Sequence, residues 1–409
     1  MHKLLILILT VALGLLPLSA SGETHTRAEV RQLYAQLVAR GDASPYLEKP
    51  DIDPPYGAGA LTDEALRAAL NCVNFLRRVA YVENDVALSD LYTLRAQYAA
   101  ALLAINDELS HDAPIAPGMS IDFYETAHAG TASSNIASIN WMADDILIKA
   151  VEYFVRDDGS DNLAALGHRR WLLNPNMGET GFGLANAASG ITYAAMYAHD
   201  LTGKPADWDC VAWPSRGAFP AELMADGIAW SVTLNPLVYD VEKSDVCVTM
   251  SEKTAGKASL TYFTVSLENY GAGPCVIFVP DLAAMGVEQY QQNQVWQVEI
   301  SGLKTVDGGD AAISYEVDMI ALTPMDPSNV EMDREEAALA PGESAHLSAS
   351  VVPAWADDLT VVWASSDEAV ATVDENGNVK AVAEGACEIT ATSVNGKTAS
   401  CAVSVAGKQ

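Results

Sequence analysis

The spacing of apolar residues changes along the chain from a helical period to the two-residue period of strands, and this change constrains the fold most strongly. Between residues 61 and 175, apolar side chains recur every three or four positions, as on one face of a helix. From residue 179 onward, short apolar runs are separated by Gly, Pro and Asp, which is typical of strands and turns. An all-α or all-β fold is therefore excluded. The 409 residues favour several domains, since ~150 residues is an ordinary domain size.

The helical part predicts a layer of helices followed by two strands. Thr62 is expected to cap the first helix, because its hydroxyl accepts a hydrogen bond from a free amide of the first turn. A second helix is expected from about Ser89, with one buried stripe made of Leu91, Leu94, Tyr98, Leu102, Ile105 and Leu109. Further helices are expected at 146–155 and from about 161 to before Pro175. Buried strands at 180–185 and 191–198 then indicate an α+β or layered domain.

The remaining residues predict two β-rich parts. Six short apolar runs at 206–322 alternate with turn residues, which is typical either of a β-sandwich or of a β extension of the preceding domain. From 323 to 405, apolar and polar residues alternate strictly enough to predict a separate small β domain. Asn376-Gly377 and Asn395-Gly396 predict hairpin turns in it, because Asn and Gly accept the positive φ that such turns require.

Charge and the first residues indicate where the chain works. Lys and Arg number 23 against 54 Asp and Glu, a net charge of −31, so repulsion from phosphates excludes a nucleic-acid partner. Residues 1–22 carry Lys3, then an apolar run, then small residues, which is the order of a signal peptide. Residues 23–60 are expected to be an N-terminal extension and linker. No later run predicts a transmembrane segment, so we expect an extracellular protein, secreted or held non-covalently at the cell surface.

Six cysteines remain after the expected signal peptide. In an oxidising compartment they could form three disulfides, and the sequence alone leaves the connectivity open. Cys387 and Cys401 flank the second Asn-Gly turn, which makes a disulfide between late strands a reasonable expectation. The pairing of the others stays open: Cys72, Cys210, Cys247 and Cys275.

The small β domain at 323–405 carries three distinctive segments: Val361-Val-Trp-Ala-Ser-Ser-Asp, Val370-Ala-Thr-Val-Asp-Glu-Asn-Gly and Cys387-Glu-Ile-Thr-Ala-Thr. Together they resemble a bacterial Ig-like group 2 module. The resemblance implies an Ig-like β-sandwich in an exported bacterial protein, where such modules act as spacers or adhesive units. It implies no particular ligand.

Residues 61–205 carry a second set of motifs in a fixed order: Ala69-Leu-Asn-Cys-Val-Asn-Phe-Leu-Arg, His111, Ser134-Asn-Ile-Ala, Ala150-Val-Glu-Tyr-Phe-Val-Arg-Asp, Gly167-His-Arg-Arg-Trp-Leu-Leu-Asn-Pro and Gly181-Phe-Gly. Order and spacing resemble a CAP domain (the superfamily of cysteine-rich secretory, antigen-5 and pathogenesis-related-1 proteins) of the secreted bacterial type. The resemblance implies an α–β–α sandwich around a small antiparallel sheet. It covers about a third of the chain.

Many CAP proteins hold two His and two acidic residues in a cleft. The resemblance places His111, His168, Ser134 and Asp157 at those positions, with Ser134 where the family usually has Glu. His111, Asp157 and His168 would be the ligands of a divalent metal such as zinc, although the missing carboxylate weighs against a metal. The alternative is a polar cleft without metal, in which Asn135 ties backbone groups together.

Two further sets of side chains near this cleft have alternative roles. Ser133 or Ser134, with His168 and Asp157, offers the residue types of a hydrolase triad, but the chain has no Gly-x-Ser-x-Gly motif to present a nucleophile. A polar, hydrogen-bonded cleft is the preferred interpretation.

Arg169 and Arg170 could bind an anionic group, but pairing with nearby acidic residues such as Asp158 is favoured. Three tryptophans could line a sugar- or lipid-binding surface, but core packing is the preferred interpretation: Trp171, Trp213 and Trp230.

Three functions follow from these patterns. The first is a non-enzymatic binding module for a lipid, glycan or protein ligand, spaced or docked by the Ig-like domain. The second is an extracellular hydrolase or metal-dependent enzyme that uses His111, His168 and Asp157. The third is a purely structural surface protein. The incomplete set of acidic residues and the missing nucleophile motif favour the first.

Overall fold

The structure is a computed structural model, and it describes residues 24–38, 44–140, 145–159, 162–205, 207–225 and 227–407. The chain divides into two compact units. The first unit holds the residues up to Phe219 together with Leu223–Tyr290 and Val295–Asp318, and the second unit holds Pro220–Glu222, Gln291–Gln294 and Met319–Gln409. The expected signal peptide at 1–22 lies outside the described residues.

The first unit begins with mixed helices and strands. Its helices are α1 (Arg27–Leu37), α2 (Asp63–Val79), α3 (Asp90–Asn106), α4 (Ile121–Thr131), α5 (Ile146–Arg156), α6 (Gly167–Leu172) and the short α7 (Leu282–Met285). Its strands before residue 200 are β1 (Tyr46–Glu48), β2 (Ala60–Leu61), β3 (Ala87–Leu88), β4 (Ser134–Ile139), β5 (Glu179–Thr180), β6 (Phe182–Asn186) and β7 (Thr192–Tyr197). In the described ranges, no helix has the length and apolar character that crossing a membrane requires.

Helices lie on both faces of an antiparallel sheet of three strands in the order β4-β7-β6. On one face, Ile136 and Ala195 share a buried cluster with the alanines of α3 and with Phe123 of α4. Asn135 points to the other face, because side chains alternate along a strand, and there it bonds to α6, which packs on α5. The sheet therefore packs on α3 and α4 with one face and contacts α6 with the other.

The expected buried stripe on α3 is confirmed only in its middle part. Leu102 is fully buried, and Tyr98 and Ile105 pack against the same cluster. Leu91, Leu94 and Leu109 are exposed instead, and the alanines Ala96, Ala99 and Ala100 are fully buried. The reason is the close approach of α3 to β6, where a Cβ added to Gly183 would lie 2.0 Å from the carbonyl oxygen of Ala96. Small side chains allow this approach and long ones would prevent it.

Helix α4, which contains His128, is a helix that the apolar spacing did not indicate. One other expectation for the helices needs correction. The last helix begins at Gly167, not near residue 161. The Thr62 cap is confirmed, since its hydroxyl accepts a hydrogen bond of 3.2 Å from the amide of Ala65.

The middle β part forms two sheets. Its strands are β8 (Cys210–Trp213), β9 (Gly217–Pro220), β10 (Trp230–Leu234), β11 (Cys247–Glu252), β12 (Gly256–Ala258), β13 (Leu260–Ser266), β14 (Cys275–Pro280), β15 (Val295–Lys304) and β16 (Asp310–Ile320). One sheet has the order β13-β14-β10-β8 and the other β12-β11-β15-β16-β9. Trp230 and Trp296, one from each sheet, are fully buried with ring centroids 5.8 Å apart, so the sheets meet as a β-sandwich.

The second unit is β-rich. Its strands are β17 (Asn329–Met332), β18 (Glu336–Leu339), β19 (Ser344–His346), β20 (Ala349–Val352), β21 (Val361–Ser365), β22 (Ala371–Val373), β23 (Asn378–Ala381), β24 (Gly385–Ser393) and β25 (Thr398–Val405). The sheets have the orders β18-β25-β24-β21, β19-β23-β22 and β17-β20. Both expected Asn-Gly turns connect hairpins, with Gly377 and Gly396 at φ of 78° and 81°.

The disulfide expected between Cys387 and Cys401 is absent, and both side chains are buried thiols. The register of β24 and β25 explains this, because Cys387 lies opposite Val403 and Cys401 lies opposite Ile389. The two cysteines are therefore diagonal neighbours, roughly 7–8 Å apart in an antiparallel pair, which exceeds the separation that a disulfide bridges easily. Cys210, Cys247 and Cys275 are also thiols.

Candidate functional site

A carboxylate–imidazole pair lies at the end of α5. Asp157 follows the last helical residue in a left-handed conformation, with φ of 49°, and its side chain is completely buried. His168 of α6 donates from Nδ1 to Oδ1 of Asp157 at 2.9 Å, and the amide of Arg169 donates to Oδ2 at 3.3 Å. The bond fixes which nitrogen of His168 carries the proton. Nε2 of His168 has no hydrogen-bond partner among the described residues, and the side chain remains 18% exposed.

Three histidines are each hydrogen-bonded to the segment that runs from Thr131 into β4. His111 donates from Nδ1 to the carbonyl of Thr131 at 2.7 Å. The amide of His199 donates to the carbonyl of Ser133 at 3.2 Å. Two residues further on, the side-chain amide of Asn135 donates to the carbonyl of His168 at 2.9 Å. The side chain of His111, the backbone amide of His199 and the backbone carbonyl of His168 are thus bonded to three alternate residues of one segment.

His199 and Trp171 form an aromatic pair. Their ring centroids lie 4.3 Å apart, and Trp171 is one helical turn beyond His168 on the same face of α6. Although His199 is exposed, partial desolvation of its ring lowers its pKa, and the nearby His111 lowers the pKa further. His199 is therefore neutral at neutral pH. Trp171 and His199 together offer a ligand two adjoining aromatic rings. We call His111, Asp157, His168, Trp171 and His199 the histidine cleft.

Ser134 does not join the expected triad. Its hydroxyl is buried and has no hydrogen-bond partner among the described residues. Strand alternation points Ser134 to the face of the sheet that carries α3, while its neighbour Asn135 points toward α6 and His168. A catalytic nucleophile must lie within hydrogen-bond reach of the imidazole that activates it, and Ser134, on the other face of the sheet, does not meet this requirement.

The expected metal set is also not assembled. In the part of the chain that the structure describes, no group of three or more His, Cys, Asp or Glu side chains is placed to hold a metal ion. Nδ1 of His111 and Nδ1 of His168 are both engaged by protein oxygens. One ring nitrogen on each therefore remains for a ligand.

Arg169 and Arg170 do not pair with the neighbouring acidic residues as expected. Both are buried, and their guanidinium groups bond mainly to backbone carbonyls of α5, β10 and the 268–273 loop. Burial lowers the pKa of Arg169 to about 10, so the group stays charged at neutral pH.

Sequence patterns missed Asn162, whose side-chain amide lies 3.2 Å from Nδ1 of His168. A polar residue six positions before the motif His carried no signal, because the turn that brings it back is irregular. The tryptophan interpretation is confirmed for Trp213 and Trp230, which are fully buried. Trp171 is half-buried in the histidine cleft.

A comparison with known families identifies part of the chain. Residues 328–403 match the bacterial Ig-like domain (group 2). The C-terminal unit carries a bacterial Ig-like domain. This confirms the Ig-like module expected at 323–405. The match does not extend to residues 61–205, so it gives the CAP resemblance no support.

Two curated relatives share a short segment with the chain. Lacto-N-biosidase of Bifidobacterium bifidum is 52% identical over 68 residues, which is 17% of this chain and 6% of the relative. The 3-O-alpha-D-galactosyl-alpha-L-arabinofuranosidase of Bifidobacterium longum subsp. longum is 58% identical over 59 residues, 14% of this chain and 5% of the relative. The chain therefore spans only about a twentieth of the length of these relatives.

Among solved structures, an intimin mutant of EHEC O157:H7 is 22% identical and covers 19% of this chain and 46% of its own. The TM-score is 0.16, so this similarity carries no argument about function.

Proposed function

We propose that the chain is an exported bacterial protein whose first unit binds an extracellular ligand in the histidine cleft without transforming it. In this proposal residues 61–205 are a CAP domain, and the Ig-like domain is a spacer or adhesive module at the cell surface. The layered helices and three-stranded sheet support the CAP assignment. The ligand is a lipid, glycan or protein of the cell envelope or its surroundings.

One observation carries the binding proposal. The buried Asp157 holds His168 so that Nε2 has no partner among the described residues. Ser134, one of the two candidate nucleophiles, points to the opposite face of the sheet. An oriented imidazole beside aromatic rings can accept a hydrogen bond from a ligand and exclude water around it. Nothing in this arrangement supplies a covalent step.

A hydrolase is the second candidate, and the same pair of residues favours it. A carboxylate that orients an imidazole is the arrangement by which a histidine becomes a general base. The described hydrogen bonds of the His168 imidazole involve no serine hydroxyl, so this candidate uses water as the nucleophile. The two candidates therefore differ in whether a product forms.

The test compares wild type with His168→Ala in two assays. Thermal shift is measured with peptidoglycan fragments, phospholipid vesicles and purified surface proteins, and hydrolysis of the same materials is followed by mass spectrometry. We expect at least one of these materials to raise the Tm of wild type, to have no effect on His168→Ala, and to yield no product.

His128→Ala is the matched control, because His128 lies on α4 and pairs with the exposed Asp112 at 2.9 Å. It should bind as wild type does. A product that disappears with His168→Ala would establish the hydrolase. The absence of any shift with all three materials would contradict the binding proposal.

A further inference from the structure

We propose that Arg169 is a positioning residue. It connects the backbone next to Asp157 with the middle β-sandwich, so that the β-sandwich helps to fix the geometry of the Asp157–His168 pair in the histidine cleft. The inference rests on the proposed function, because it concerns the same histidine cleft. The geometry of the Asp157–His168 pair can be measured without any ligand, so the inference can fail while the proposed function stands, and the reverse.

The Arg169 guanidinium binds two elements at once. Toward α5, Nε donates to the carbonyl of Val155 and Nη2 to that of Arg156, both at 2.6 Å. Toward β10, Nη1 donates to the carbonyl of Ala229 at 2.7 Å and to the hydroxyl of Ser231 at 3.1 Å. The side chain is buried, with 1% of the residue exposed. The planar fork therefore fixes α5 and β10 relative to each other.

The contacts of Arg169 on α5 are made with carbonyls of the last turn of that helix. The last carbonyls of a helix have no partner within it, and a cation there also interacts favourably with the helix dipole. Val155 and Arg156 immediately precede Asp157, whose left-handed backbone is costly for a residue other than glycine. Arg169 therefore stabilises the turn that aims the buried carboxylate at His168.

The backbone amide of Arg169 completes this arrangement. It donates to Oδ2 of Asp157, while Oδ1 accepts from His168. The amide of Arg169 thus bonds to the carboxylate itself, while its side chain holds the backbone that precedes Asp157. If the contacts to β10 were lost, the guanidinium would be free to shift, and the carboxylate would lose its fixed position relative to the imidazole.

Arg170 provides a matched comparison. It is also buried and its guanidinium also bonds to carbonyls, but these belong to Ala165 and to Gly273. A further bond reaches the hydroxyl of Ser266. None of these contacts involves residues 155–157. Arg170→Lys should therefore weaken the packing of α6 without acting on Asp157.

The test is an NMR measurement on the full chain without ligand. The imidazole signals of His168 are identified by their loss in His168→Gln. In Arg169→Lys we expect the Nδ1 proton of His168 to exchange with water about tenfold faster, since a charge-assisted hydrogen bond is weakened. In Arg170→Lys the exchange rate should be that of wild type. Far-UV circular dichroism verifies that each variant is folded.

Three outcomes decide the inference. Faster exchange in Arg169→Lys alone supports it. Unchanged exchange in a folded Arg169→Lys, or equal acceleration in both variants, overturns it. If Arg169→Lys does not fold, Ser231→Ala replaces it, because this change removes only one contact on the β10 side. A shift of the His168 signals then supports the inference, and unshifted signals overturn it.

Discussion

A buried carboxylate sets the chemical character of the histidine cleft at the scale of single residues. The hydrogen bond to Asp157 fixes which nitrogen of His168 carries the proton. His199 adds a second imidazole, and its pKa is lowered by desolvation and by His111. The residue types at 111, 157 and 168 could be predicted from motifs. Their partners could not, because Asn162 lies in an irregular turn. Thr131 and the residues around Arg169 contribute backbone carbonyls, which no sequence motif marks.

The lowered pKa of His199 predicts a pH dependence of stability. The unfolded chain keeps the ordinary His value of 6.5, so between the two pKa values the unfolded chain binds more protons than the folded one. At neutral pH and above, the titration of His199 therefore does not change the free energy of unfolding. Below pH 6.5 the free energy of unfolding falls, and it continues to fall until the pH has passed the lowered pKa of His199 in the folded chain. Urea unfolding at a series of pH values measures this.

His199→Gln should flatten the acid part of that pH profile. His346→Gln is the control, because His346 is exposed on β19 in the second unit. It should leave the profile of the first unit unchanged. An identical acid slope in wild type and His199→Gln would contradict the expected contribution of His199.

At the scale of elements, apolar patterning predicted strands better than helices. Six of the nine strands described in the middle part and both Asn-Gly hairpins were found, because alternation and turn residues are local signals. The packed face of α3 was predicted at Leu102 but not at its alanines, because leucines at helical spacing give a stronger signal. Helix α4 was not predicted, because its last turn contains Gly130 and Thr131, which have low helix propensity. Close packing of backbones selects small residues, and hydrophobicity alone does not reveal this.

Gly183 tests the close packing of α3 on β6. A Cβ at this position would lie 2.0 Å from a backbone oxygen of α3, and neither element can yield without displacing the buried cluster. We expect Gly183→Ala to lower the free energy of unfolding by about 3 kcal/mol or more. Chemical denaturation measures the change.

Gly57→Ala is the control for this prediction. A Cβ there meets its nearest neighbour, the Cβ of Asp51, at 3.5 Å, an ordinary contact, and we expect a change within about 0.5 kcal/mol. If Gly183→Ala were tolerated as well as Gly57→Ala, α3 would not lie against β6 as described.

The register of β24 and β25 predicts the state of two cysteines. Cys387 and Cys401 should be thiols that a labelling reagent reaches only after unfolding, whereas the exposed Cys247 should react in the native protein. Mass spectrometry of native and denatured protein, purified without reductant, measures both. A crosslinked peptide joining 387 and 401 would show that the register or the separation is different.

At the scale of the whole molecule, the sequence predicted several domains and an Ig-like C-terminal module. It left open whether residues 206–322 stand alone. The structure places these residues up to 318, apart from short segments, in the same compact unit as α2–α6. Buried arginines make this connection, and motif spacing cannot reveal contacts between residues so far apart in the chain.

The central claim is that the first unit binds its ligand at the histidine cleft, and a map of tryptophan indole signals tests it directly. The chain has eight tryptophans, of which Trp171 lines the cleft while Trp213, Trp230 and Trp296 are buried in the β-sandwich. When a material that raises the Tm is titrated into the labelled protein, we predict that the Trp171 indole signal and the His168 and His199 imidazole signals shift together. The buried tryptophans should keep their positions. Shifts confined to Trp363 of the Ig-like domain, with Trp171 and His168 unchanged, would contradict the claim.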